Sequence, residues 1–286
     1  MTSIQAETGL NYTKLNPKTN ITPHTELRLS VQISLHGLSF LITTFYTKET
    51  VFFTNKKFNT AQTPEELLIH ITKIINQNTD LFSNFNEVVL LYQTNAYTIV
   101  PTALFDATKA SEYLKFTVKI LATDFVAHDQ TKQTDLTVVY IPFVNINNFF
   151  FEKYGSFKYF HNNTILLDKL LQTNKFSKET KVYLNVDNTF FDTVVIKEGA
   201  LQLCNTFEYN APEDFIYYVL FVYEQLRLDP NTIPCILLGD ISKNDEIYQL
   251  LYTYVKDVHF FKPLIESNVT IEETPPYRFF ALKNSV

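Results

Sequence analysis

From Leu27 onward apolar and polar residues alternate. Leu27, Leu29, Val31 and Ile33 are separated by Arg28, Ser30, Gln32 and Ser34, the period of two that marks a half-buried strand. His36-Gly37 supplies a tight turn, Leu38–Tyr46 a second strand, Lys48-Glu49 a second turn, and Val51–Thr54 begins a third strand. An antiparallel meander is therefore predicted. The period then becomes helical. Thr63 is a good N-cap, Pro64 suits the first helical position and Glu66 completes a capping box. Leu67, Leu68, Ile71, Ile74 and Ile75 fall on one face of that helix. Val88–Tyr92 reads as a buried strand.

The stretch 96–135 is less regular. Ala96–Val100 has strand character, Asp106–Phe116 helical character, and Thr117–Ala127 strand character again, which suggests a small inserted subdomain. Leu136–Ile141 is a strand, Asn145–Tyr154 a helix closed by Gly155, Phe157–Phe160 a short strand, and Thr164–Gln172 a helix rich in leucine.

The opening pattern then returns. Val182–Val186, Phe191–Ile196 and Ala200–Tyr209 are predicted strands, the last two joined through Lys197-Glu198-Gly199. Asn210, with Glu213 three residues on, is a second capping box. The helix it opens, Phe215–Leu228, is apolar almost all round and is expected to be buried. Ile233–Leu238 has the continuous apolar character of a strand covered on both faces. Ser242 and Asp245 open an amphipathic helix through Val255, and His259–Phe261 is a last short strand. A strand-strand-strand-helix-strand unit is thus used twice, which predicts a duplicated, two-lobed α/β fold. Residues 1–26 read as a flexible polar tail, 27–180 as the first lobe with its insertion, and 181–286 as the second lobe.

Composition narrows the function. Of 286 residues, 45% are hydrophobic and 15% aromatic, enough for a large core, while only 19% are charged. The net charge is −6, and Arg28, Arg227 and Arg278 are the only arginines. Nucleic-acid binding needs clustered Lys and Arg to neutralise phosphates, so no nucleic-acid partner is expected. No apolar run reaches the ~18 residues that span a bilayer; the longest, Phe215–Tyr223, is far shorter. With no segment of signal-peptide type, membrane insertion is not expected and a cytoplasmic location is. The sequons at Asn11, Asn20, Asn162 and Asn268 are then chance products of an Asn- and Thr-rich chain. Cys204 and Cys235 each lie among apolar residues and read as small buried hydrophobes. His70, His128, His161 and His259 lack metal-ligand spacing. Neither G-x-x-x-x-G-K-[ST] nor G-x-G-x-x-G is present, nor G-x-S-x-G.

The order of elements resembles the actin, sugar-kinase and chaperone-ATPase superfamily, whose fold is of ribonuclease H-like duplicated βββαβα units. Leu136 to Leu226 resembles most the actin-like cytoplasmic protein of type IV pilus assembly, where a V-x-x-P strand (here Val139 to Pro142) is followed by helix, short strand, crossing helix and second phosphate hairpin. The chain also resembles an uncharacterised bacterial family of actin-like fold. In this superfamily two hairpins, one per lobe, grip the phosphates of ATP with Mg²⁺, and a later strand-loop-helix junction holds the adenosine.

Laid on this chain, the motifs are eroded. The first hairpin carries Ser34 where an aspartate is usual, with Gly37 one residue late. The second, usually Asp-x-Gly-Gly-Gly-Thr-Thr-Asp, reads Asn185-Val186-Asp187-Asn188-Thr189-Phe190-Phe191-Asp192, so only Asp192 matches. The adenosine junction is Leu238-Gly239-Asp240, with one glycine of two. Glycine allows backbone amides to approach a phosphate at positive φ, and Asp187, Asn188 and Thr189 remove three such positions. Mg²⁺ favours carboxylate and water oxygens, and Ser34 and Asn185 offer neutral ones. Asp187 and Asp240 would each repel a polyphosphate by roughly 4 kcal/mol at ~4 Å and an effective dielectric near 20. Each residue also has a plain reading: Asp187-Asn188 as hairpin-turn residues, Gly239-Asp240 as a strand exit, Asp192 as a surface strand residue, and His36 as a turn residue.

The expectation is a non-catalytic actin-like scaffold or adaptor with a vestigial nucleotide site at Ser34, Gly37, Asn185, Asp187, Asp192, Gly239 and Asp240. It has no catalytic residues, no metal site and no cofactor, and it binds a protein partner through its cleft or insertion. The alternative is a nucleotide-binding protein or ATP-dependent phosphotransferase with reshaped phosphate loops, which would take ATP and Mg²⁺. A third is a partner-clamping module unrelated to actin, which would lack two facing lobes.

Overall fold

The computed structural model of the chain describes residues 25–121, 123–132, 134–263 and 269–285; the predicted tail lies, except for Thr25 and Glu26, outside the described residues. The first half runs β1 (Leu27–Ser34), β2 (Gly37–Thr44), β3 (Thr50–Lys57), α1 (Pro64–Asn76), β4 (Glu87–Tyr92), β5 (Tyr97–Pro101), α2 (Ala110–Leu114), β6 (Ala127–Gln130), β7 (Leu136–Tyr140), α3 (Val144–Tyr154), β8 (Lys158–His161) and α4 (Asn162–Asn174). The second runs β9 (Thr180–Val186), β10 (Phe190–Lys197), β11 (Ala200–Glu208), α5 (Pro212–Gln225), β12 (Cys235–Gly239), α6 (Glu246–Tyr254), β13 (Val258–Phe260) and α7 (Phe280–Asn284).

Two five-stranded sheets follow one plan. The first is ordered β3-β2-β1-β4-β8 and the second β11-β10-β9-β12-β13. In each, an antiparallel meander is extended by two parallel strands. The two predicted lobes are therefore present, and the duplicated unit holds strand for strand. The α1 capping box forms as read: Thr63 Oγ1 accepts from the Glu66 N–H and a Glu66 carboxylate oxygen accepts from the Thr63 N–H.

One continuous core links the lobes. Leu29, Val31, Ile33, Ile71 and Phe150 of the first lobe share a cluster with Leu166, Leu167, Leu170 and Leu171 of α4 and with Tyr183, Val194 and Ile196 of the second. The leucines of α4 thus fill the space between the sheets, and burying four such side chains contributes on the order of 1.5–3 kcal/mol each. The far face of the second sheet packs on α5 and α6 through Val182, Leu184, Val219, Val222 and Leu251.

Several expectations change. β1 was expected to be half-buried, yet Ser30 and Ser34 are as buried as the leucines. Its other face is covered because the chain returns to the first sheet at its end, where Val269, Ile271, Ala281 and Leu282 pack on Leu41, Phe53, Val89 and Leu91. That return and helix α7 have no counterpart in the sequence reading. In the insertion, the helix expected over 106–116 shrinks to a 3-10 turn at 107–109 followed by α2, and the strand expected over 117–127 does not form. Val118, Ile120 and Val126 meet their need for burial against Val100, Leu114 and Val139 from irregular backbone. The third strand of the insertion sheet, ordered β5-β7-β6, is instead β7. Helix α5 is not buried all round: Tyr217 is 62% exposed and Phe221 39%. Its cap is Asp214, whose carboxylate accepts from the Asn210 and Ala211 N–H groups; Glu213 does not serve.

The N-terminus of α4 sits on a buried polar cluster. Asp129 of β6 accepts from the His161 N–H (2.7 Å), Thr164 Oγ1 (2.9 Å) and Tyr140 Oη (3.1 Å). His161 caps α4 by accepting from the Asn163 N–H at Nδ1, and its Nε2 meets the Thr94 carbonyl at 3.0 Å. The carbonyl can only accept, so the imidazole is the neutral Nε2–H tautomer. Burial raises the Asp129 carboxyl to about 6 and lowers His161 to about 4. The two act on stability in opposite senses. Asp129 holds its proton more tightly folded than unfolded, so its contribution is lost as pH rises from about 4 to 6. His161 holds its proton less tightly folded, so its contribution is lost as pH falls through that same range. Asp129→Asn removes the first slope and leaves the second. Urea midpoints of this variant are expected to rise more steeply between pH 4 and 6 than those of the unchanged protein; parallel curves would contradict the assignment.

Candidate functional site

The two meander turns face each other across the cleft between the sheets. In the first, Ser34 pairs with Gly37, and Ser34 Oγ accepts from the His36 N–H at 3.0 Å. The hydroxyl at the expected aspartate position therefore accepts a hydrogen bond from its own turn. A Cβ on Gly37 would lie 3.1 Å from the Lys56 carbonyl, so this glycine serves the close approach of β2 and β3. In the second turn the Asp187 N–H donates to the Phe190 carbonyl (2.9 Å) and the Asn188 N–H to Asp187 Oδ1 (2.6 Å). Asp187 and Asn188 are the turn residues of the β9–β10 hairpin, as their plain reading held. Burial raises the Asp187 carboxyl, opposed by the Asn188 N–H; neighbouring Asp240 adds to the rise and Lys57 opposes it.

Asp192 is not a surface strand residue. It is 2% exposed; Oδ1 accepts from Asn163 Nδ2 (3.1 Å) and Thr206 Oγ1 (2.6 Å), and Oδ2 from Asn185 Nδ2 (3.0 Å). Thr206 in turn meets Tyr97 Oη of the insertion at 2.9 Å, and the Tyr97 ring stacks on His161 at 4.5 Å. Burial raises the Asp192 carboxyl, opposed by the hydrogen bonds from Thr206, Asn163 and Asn185. Asn185, read as a replacement ligand, instead holds Asp192.

Gly239 ends β12 at φ +85°, and a Cβ there would lie 2.1 Å from the Val186 carbonyl oxygen. The Asp240 N–H donates to that same carbonyl at 2.7 Å, and the Gly239 N–H to the Tyr277 carbonyl at 2.9 Å. The Asp240 carboxylate is shared by two cations: Lys57, at the end of β3, and Arg278, whose Nη2 lies 3.2 Å from Oδ1. Lys57 belongs to the first lobe and Asp240 to the second, so this cluster closes the cleft.

Ser34, Gly37, Asn185, Asp187, Gly239 and Asp240 line a single cavity of about 70 Å³, and Asp192 does not. Gln32, Gln93, Asn162, Lys57 and Arg278 also stand in its wall. Sequence reasoning missed all five. The run Asn162-Asn163-Thr164 ahead of a leucine-rich helix was the signal for the buried amides, and the rarity of arginine was a signal for Arg278. Gln32 donates through Nε2 to Gln93 Oε1. Gln32 Oε1, His36 Nδ1 and Asn162 Oδ1 have no hydrogen-bond partner among the described residues. The volume suits a few waters, which such atoms need. No group of three or more His, Cys, Asp or Glu placed to hold a metal occurs among the described residues.

Two facing lobes of one topology, joined by a crossing helix and with paired hairpins at the cleft, define the actin-like fold. Solved structures agree. A Bacteroides thetaiotaomicron VPI-5482 protein with an actin-like ATPase fold and unknown function superposes with a TM-score of 0.75 at 21% identity, covering 87% of this chain and 96% of its own. The PilM-PilN type IV pilus biogenesis complex gives 0.57 at 11% identity, covering 90% and 96%. These likenesses show the fold. The chain itself belongs to a family of proteins of unknown function, DUF3822, which it matches over residues 16–258. A comparison with curated proteins finds no match.

Gly239 keeps a structural reason to be glycine whatever the cleft holds. Gly239→Ala forces a Cβ onto the Val186 backbone in a left-handed conformation, and it is expected to cost at least ~2–3 kcal/mol in urea unfolding. A loss below about 0.5 kcal/mol would contradict this contact.

Proposed function

We propose that this protein is a non-catalytic actin-like scaffold or adaptor, in which the nucleotide cleft has become a structural joint and binding is directed to another protein. The observation that carries this reading is the cluster at Asp240. Lys57 and Arg278 neutralise it in place, and the cavity left beside it, about 70 Å³, is far below the ~300 Å³ at which small-molecule pockets begin. The remaining residues point the same way. Asp192 has donors on both oxygens from within the chain. Ser34 is turned onto its own backbone. The second hairpin has no glycine with which to cradle a phosphate. Magnesium-ATP does not fit this set of residues as they stand.

The alternative, a nucleotide binder with reshaped loops, rested on Asp192 and Gly239. Each has a structural task that accounts for it without nucleotide. For a protein partner, the chain offers exposed apolar surface away from the cleft, at Leu104, Phe116 and Phe125 of the insertion and at the stacked Tyr217–Phe221 pair of α5. A similar fold occurs together with a second protein in the PilM-PilN complex. No helix among the described residues is long and apolar enough to cross a membrane.

Calorimetric titration of the purified protein with ATP and Mg²⁺ tests this reading. No saturable heat is expected up to millimolar nucleotide. Micromolar, Mg²⁺-dependent saturable binding would overturn it in favour of an ATPase or phosphotransferase.

A further inference from the structure

We propose that the C-terminal strap, residues 269–285, is a latch that holds the two lobes closed and is released through Arg278. It goes beyond the functional reading above and does not depend on whether any ligand enters the cleft.

The strap grips both lobes at once. On the second lobe, the Tyr277 carbonyl accepts from the Gly239 N–H (2.9 Å), Arg278 pairs with Asp240 (3.2 Å), the Tyr277 ring lies 4.5 Å from that of Phe260, and the Phe280 ring 4.9 Å from that of Phe261. On the first lobe, Phe279 packs edge-on against Phe53 at 4.9 Å, Ala281 and Leu282 of α7 enter the cluster of Leu41, Val89 and Leu91, and Ser285 Oγ meets Ser30 Oγ at 3.2 Å. Between the two grips, Arg278, Phe279, Phe280 and Ala281 form part of the cavity wall. Movement of one lobe away from the other must break one grip.

The two grips differ in kind. The first-lobe side is an apolar anchor buried under α7. The second-lobe side is mixed: Tyr277 and Phe280 make ring contacts with Phe260 and Phe261, while the Arg278–Asp240 pair is partly open, with side chains 37% and 29% exposed, and exchanges with water and salt at small cost. The strap is also bent against its preference. Phe279 stands in the left-handed region at φ 53°, and Glu273, where the strap turns, at φ 57°. Bulky side chains adopt that conformation only where the surroundings impose it. Phe279 immediately precedes α7 and lies between Arg278, paired with Asp240, and Ala281 and Leu282, packed on the first lobe, so the strain sits between the two grips. A partly open ion pair, a buried anchor at Ala281 and Leu282 and a strained residue between them make a device that yields first at Arg278 while Ala281 and Leu282 stay docked.

Hydrogen–deuterium exchange of the full chain tests this, comparing the unchanged protein with Arg278→Ala, Arg278→Lys and Asp240→Asn. In Arg278→Ala and Asp240→Asn, exchange at the two cleft turns, 35–37 and 187–189, is expected to rise roughly tenfold, with α1, α5 and α7 unchanged. Arg278→Lys keeps the charge and is expected to restore most of the protection. Unchanged exchange at the turns in both Arg278→Ala and Asp240→Asn would overturn the proposal and leave the strap a fixed wall. A uniform rise across α1, α5 and α7 would overturn it too, because the strap would then be part of the global core. Calorimetry on the unchanged protein decides the functional reading separately: ATP binding there would reject the scaffold and leave the latch standing.

Discussion

A single buried carboxylate organises the joint between the lobes. Asp192 rises from the second strand of the second sheet and takes hydrogen bonds from Asn163 at the start of α4, from Asn185 on the neighbouring strand and from Thr206 on the other side. A carboxylate removed from water to this degree is costly unless donors satisfy it. Here three do, and one of them belongs to the helix that crosses between the lobes. The positive end of that helix favours nearby negative charge, and Asp129 of the insertion uses the same end. Two acidic side chains from two different sheets thus converge on the first turn of α4, while the Thr94 carbonyl beyond the end of the first sheet engages His161. All three sheets are referred to one helix terminus.

With Asp192 engaged below the surface, neutral amides line part of the cavity, and its acidic groups are Asp187 and Asp240. Lys57 from one lobe and Arg278 from the strap meet Asp240 there. In a working nucleotide site, glycine-lined turns leave backbone N–H groups free for phosphate. In this protein the corresponding N–H groups of His36 and Asn188 are taken by Ser34 and Asp187. The actin-like fold is present, and at these two turns the backbone N–H groups bond within the chain.

The regular elements were legible in the sequence wherever one face is buried and periodicity can act: the meanders, α1 with its capping box, and the parallel strand at Cys235–Gly239. The duplicated order was legible for the same reason, and with it the two-lobed class. What escaped was whatever depends on distant chain. β1 alternates as a half-exposed strand does, but the strap that covers its second face arrives more than 230 residues later, and nothing local marks the serines as buried. Within 117–126 alternation is met by packing without pairing. At the cleft, the positions of Ser34, Asn185, Asp187, Gly239 and Asp240 were found through motif alignment. Lys57 and Arg278, the partners of Asp240, and Asn163, a partner of Asp192, were not, since an ion pair or amide contact across lobes leaves no spacing in the sequence. Asp192 carried two readings, the one matching position of the second hairpin motif and a surface strand residue; it is buried among three donors and lies outside the cavity wall, a depth that one aspartate in an apolar strand does not signal.

The most direct measurement is a double-mutant cycle between Asp192 and Asn163, read by urea unfolding of Asp192→Ala, Asn163→Ala and the pair. If Asp192 is the hub of the joint, each single change destabilises the protein and the two are coupled by ~1–3 kcal/mol. A nearly neutral Asp192→Ala that adds independently to Asn163→Ala would contradict the account, and would return Asp192 to the role of a residue held free for a ligand.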